Sequence, residues 1–168
     1  MKILCSTTII ALFLLLSSTG GQAQTNKPKL NQLELDMQFI GKWKADASKD
    51  TIITIECKSI YHGNGVETYY KTVTKGEIIF EEKSLLGYDK KTDKLIECSI
   101  DNSSPYIGVY AAWFTSKNKM EEILLKDISK ADKAISKTTF EFISPDVFAL
   151  TYIENNKVTN TYTFHREK

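Results

Sequence analysis

The 168-residue chain is poor in the residues that most catalytic and metal sites require: two histidines, three cysteines, three prolines and two tryptophans. His62 and His165 stand far apart with no cysteine or second histidine at ligand spacing, so no zinc-type set assembles and no metal is expected. Nucleophilic catalysis needs a Ser or Cys within reach of a base and a third group to orient it. No Gly-x-Ser-x-Gly turn is present, and no such trio is visible. Paired acids at Glu81-Glu82 and Glu121-Glu122 invite an acid/base reading. Strand neighbours point to opposite faces, however, so each pair reads as one exposed acid and one at a rim. The chain is therefore read as non-enzymatic, with no cofactor.

Charge of one sign is also lacking, since 22 Lys and Arg face 21 Asp and Glu. Binding a phosphate backbone needs a basic surface that releases counterions, so nucleic acid is set aside as a partner. Long apolar runs are absent except at the start, where residues 9–16 (IIALFLLL) follow a lone Lys2 and precede Gly21-Gln22-Ala23. A positive n-region, a short apolar core and small residues before a cleavage point describe a signal peptide over residues 1–23. The run is too short to span a bilayer, which takes about 20 apolar residues, so no stable membrane insertion is expected after cleavage. Export places the mature chain in the periplasm or outside the cell. Losing Lys2 brings Lys and Arg to 21 against 21 acids, a neutral mature protein.

Cys5 leaves with the signal, and Cys57 and Cys98 remain in an oxidising compartment. Ile53, Ile55 and Cys57 share one strand face; Ile96, Cys98 and Ile100 share another, and both faces are read as inward. Two inward thiols on strands that are not neighbours lie too far apart to bridge. Buried free thiols and a disulfide both remain open at this point.

What the chain does have is alternation, with 11% aromatics to fill a core. Residues 24–29 form a polar leader, and the spacing of Leu33, Met37 and Ile40 predicts a short amphipathic helix over residues 30–40 with Asn31 as its cap. Thereafter the period is two, broken by turn chemistry such as His62-Gly63-Asn64-Gly65 and Asn155-Asn156. About ten strands follow, near residues 42–47, 51–60, 66–74, 77–83 (continued by 85–88 after a bulge), 94–100, 106–115, 120–126, 137–143, 147–154 and 157–166. Residues 127–136 are read as a helical turn or wide loop. Connections this short make antiparallel neighbours, since a parallel crossover takes about a dozen residues. Closing the meander removes exposed edges, so the predicted class is an all-β up-and-down barrel over residues 30–168.

Phe39-Ile40-Gly41-Lys42-Trp43, a short helix running into Gly-x-Trp at the first strand, resembles the opening of lipocalins, and Arg166 near the end of the last strand resembles their closing basic residue. Leu86-Gly87-Tyr88-Asp89 before a polar turn is similar to bacterial secreted lipocalin-like domains of unassigned function. The resemblance covers the mature chain and implies a bacterial source, a calycin-type barrel and Trp43 packed under Arg166. The Trp-x-Gly-x-Gly continuation of haem-binding relatives is absent, so haem is not implied.

Alternation places Tyr70, Tyr110, Phe114, Phe140, Phe142 and Tyr162 as lumen candidates for a small hydrophobic or amphipathic ligand. The alternative is a solid barrel whose loops, residues 101–105 and 127–136, contact another protein or a surface polymer. His165 falls on the polar, outward face of its strand. Oligomeric state has no signature in the sequence.

Overall fold

The computed structural model describes residues 29–168; the signal-peptide reading of residues 1–23 falls outside them. The first element described is α1 (Gln32–Asp36), capped by the Asn31 side chain, which accepts the Glu34 N–H, and running on as a 3₁₀ turn, Met37–Phe39. Ten strands follow: β1 Gly41–Ser48, β2 Thr51–Ile60, β3 Gly65–Thr74, β4 Glu77–Asp89, β5 Lys94–Asp101, β6 Gly108–Ser116, β7 Lys119–Leu124, β8 Ser136–Ser144, β9 Val147–Glu154 and β10 Lys157–Arg166. Each pairs antiparallel with its chain neighbours, and β10 returns to β1, closing the barrel. The fold is thus the all-β meander expected from the alternation. Residues 85–88 belong to one continuous β4, and the irregularity lies earlier, opposite Thr72 and Val73. Between β7 and β8 the chain forms a 3₁₀ stretch, Leu125–Lys133.

The closing seam is short. β1 and β10 are in register only at Trp43 with Arg166 and Lys44 with His165, extended by one bond from Glu167 N–H to the Lys42 carbonyl at 2.8 Å. Side chains reinforce it. The Arg166 guanidinium lies 4.0 Å over the Trp43 ring and donates to the carbonyls of Ile40, Gln38 and Pro145 and to the Asp146 carboxylate. Gly41 makes room for it. A Cβ there would sit 2.7 Å from the guanidinium, and its φ of +128° suits glycine, which gives the Gly-x-Trp spacing a steric cause.

Beside the seam the core is aromatic. Phe148, fully buried, meets Phe39, Trp43 and Phe164 at ring-centroid distances of 5.3, 4.8 and 4.9 Å. The Trp43 N–H donates to the Phe39 carbonyl at 2.7 Å, so α1 and β1 are tied at this floor. Burying each such ring contributes about 2 to 3 kcal/mol, which makes this end the mechanical anchor of the barrel.

Two expectations about facing are corrected. The buried side of α1 is Gln32 and Asp36, while Leu33, Met37 and Ile40 are only half-buried. Gln32 can be buried because its amide both accepts the Phe114 N–H (2.6 Å) and donates to the Phe114 carbonyl (3.3 Å). On β5, Leu95 and Ser99 are buried and Glu97 lines the interior, whereas Cys98 and Ile100 face outward and are exposed. Cys57 is buried and both thiols are free, so the inward reading of Cys98 fails and no disulfide forms.

Candidate functional site

Away from the aromatic floor the inward side chains leave a cavity of about 330 Å³. It runs from Asp36 and Phe39 at the helix to Phe80, Ser136 and Tyr152 near the opposite ends of their strands. Alternation positions its walls. β3 contributes Val66, Thr68 and Tyr70, β4 Phe80, Glu82 and Leu86, and β7 Met120 and Glu122, each set spaced by two residues or a multiple of two. Gly108 keeps space beside Tyr110, since a Cβ there would sit 2.6 Å from the Tyr110 ring and 2.7 Å from Ser99 Oγ.

Of the six lumen candidates, Tyr70, Tyr110 and Phe140 line the cavity. Phe114 and Phe142 do not; both are buried in the packed floor, Phe142 4.7 Å from the Phe39 ring. Tyr162 packs edge-on to Tyr152 at 6.3 Å, behind the lining. Each packs against another ring, Phe114 and Phe142 on Phe39 and Tyr162 on Tyr152. Trp43 and Arg166 are in contact at the seam, and His165 is exposed.

Sequence reasoning missed the acids. Asp36, Glu82, Glu97 and Glu122 all line the cavity, and no Lys, Arg or His does. The reading of Glu82 and Glu122 as rim or surface groups is therefore corrected. Their strand partners Glu81 and Glu121 take the outer face, where Glu81 accepts from the Tyr69 hydroxyl (2.6 Å) and Glu121 pairs with Lys137 (3.0 Å).

The interior makes these carboxyls hold their protons. Burial, with Glu97 nearby, raises Asp36 from 3.8 to about 7. Burial, with Glu97 and Asp101 nearby, raises Glu82 to about 7. Burial, the charge of Glu97 and a hydrogen bond with it push Glu122 well up, and burial raises Glu97, which hydrogen bonds from Ser84 and Glu122 partly offset. Tyr70, Tyr110 and Tyr152 are all raised, chiefly by burial, with the Tyr152 hydroxyl donating to Tyr70. Burial also pushes the Cys57 thiol up to about 12, so it is an inert wall group. Asp36 Oδ2 is buried with no hydrogen-bond partner. Among the described residues, no three His, Cys, Asp or Glu converge as a metal site.

Fold and site together define a closed antiparallel barrel with an aromatic floor and an acidic, tyrosine-bearing lumen. No protein-family model matches the chain, and no curated protein matches it either.

Proposed function

We propose that the protein is a lipocalin-like binding module, exported from a bacterial cell, that takes a small amphipathic ligand into its lumen and performs no chemistry on it. The observation that carries this reading is the cavity. At about 330 Å³ it falls in the range of small-molecule sites and joins apolar walls (Phe39, Ile55, Leu86, Phe140, Leu150) to a few convergent polar groups. A barrel filled by its own side chains would have no such space, so the lumen is favoured over the loops as the working surface.

Titration with the neutral fluorescent probe N-phenyl-1-naphthylamine tests it. Saturable one-to-one binding, displaced by short-chain amphiphiles, is the expected result. Fluorescence that rises without saturation, or probe that no amphiphile displaces, would sink the proposal.

A further inference from the structure

We infer that the lumen takes an organic ammonium ion, an amine with an apolar body, its charged end among Asp36, Glu97 and Glu122 and its body against the aromatic and aliphatic walls. This rests on the lumen reading above and specifies the ligand class.

Charge balance decides first. An anionic amphiphile such as a fatty acid would bring a negative group to a lining that holds four acids and no base, with no positive side chain to pair it. A cation meets the reverse situation, several acceptors and no competing donor of its own sign. The second observation is independent of the cluster. Asp36 Oδ2 is an acceptor without a donor, on a residue 3% exposed that lines the cavity. Gln32 on the same helix cannot supply that donor, because its amide is committed to Phe114. An ammonium carries N–H donors and no acceptor, matching what this end lacks.

The walls fit the rest of the ion. Tyr70, Tyr110, Tyr152 and Phe140 surround the lumen with ring faces that attract a cation electrostatically. A bare metal ion is the poorer fit, since no three carboxylates or thiols converge on one point among the described residues. Burial favours the protonated form of these acids, so taking up a cation ionises one or more and releases protons to solvent. The titratable groups facing one another there are Asp36 from α1, Cys57 from β2, Tyr70 from β3, Glu82 from β4, Glu97 from β5, Tyr110 from β6, Glu122 from β7 and Tyr152 from β9, with Asp101 at the end of β5 beside Glu82.

Displacement of N-phenyl-1-naphthylamine from the full chain by octylammonium, octanol and octanoate is the test, as one chain length in three charge states. Octylammonium should displace at least about tenfold more tightly than octanol, with octanoate weakest. Its affinity should rise between pH 5 and pH 8, and calorimetry in buffers of different ionisation enthalpy should show proton release on binding. Glu97→Gln with Glu122→Gln should erase the preference while the probe still binds, which shows the variant folded. If the variant does not bind probe, proton release by the wild type decides alone. Octanol or octanoate displacing as well as octylammonium, or amine binding without proton release, overturns the inference and leaves the lumen reading intact. Failure of the probe and all three competitors to bind removes both.

Discussion

Asp36→Asn isolates one buried acid with almost no change of shape. In the folded protein Asp36 holds its proton up to about pH 7, whereas in the unfolded chain it releases it near 3.8. Between those values the native state binds more protons than the unfolded state, so this group's contribution to stability is complete below about pH 4 and is lost as pH rises toward 7. About three pH units at about 1.4 kcal/mol each set a ceiling near 4 kcal/mol. The effective dielectric of a protein interior exceeds that of dry protein, so about 2 kcal/mol over the full span is the working figure. Urea unfolding followed by tryptophan fluorescence at pH 5 and pH 8 reads the difference. The wild type should weaken across that window, and Asp36→Asn should weaken by about 1.5 kcal/mol less, since about two of the three units fall between pH 5 and pH 7. Carboxylates held low by hydrogen bonds, such as Asp89, Asp93 and Asp101, change charge below this window and do not confuse it. Parallel pH curves for the two proteins would refute the placement of Asp36 in a desolvated site.

Two further outcomes follow from the seam and the thiols. Arg166→Met keeps the stem over Trp43 but removes the hydrogen bonds to three carbonyls and Asp146, and should cost about 3 kcal/mol in urea unfolding, with Arg166→Lys intermediate; a loss under about 0.5 kcal/mol would show the seam holds without it. In a Cys5→Ser chain, maleimide should label Cys98 at neutral pH within minutes and Cys57 only in denaturant, as counted by mass spectrometry; rapid double labelling of native protein would contradict the burial of Cys57.

The strand order and the closure were legible because they rest on period-two alternation, turn residues and chain economy, and the Trp43–Arg166 contact was what the resemblance of the two chain ends to lipocalins implied. The lumen was not, and the errors have one cause. Reading faces by apolarity assumes an apolar interior. On β5 that rule turned Ile96, Cys98 and Ile100 inward, when Glu97 lines the cavity and Ser99 is buried on the same face; on α1 it chose Leu33 and Met37 over Gln32 and Asp36. Both elements border the acidic part of the lumen, where polar side chains are accommodated by one another and by backbone. A usable signal existed. Glu82, Glu97 and Glu122 each sit in phase with inward neighbours, Ser84 and Leu86, Leu95 and Ser99, and Met120, and in-phase acids on three strands of a closed barrel must point to a common axis.

The short β1–β10 junction leaves a further mark on the surface. It joins the barrel beside the floor only, so from residue 157 to 164 β10 has a ladder partner in β9 and is out of register with β1. Along that stretch hydrogen-bonding groups of the backbone are left to water, a stave without its neighbour. Its exposed side chains include Lys157, Asn160 and the threonines at 159, 161 and 163, a polar and partly charged sequence of the kind that keeps a bare strand from recruiting another chain.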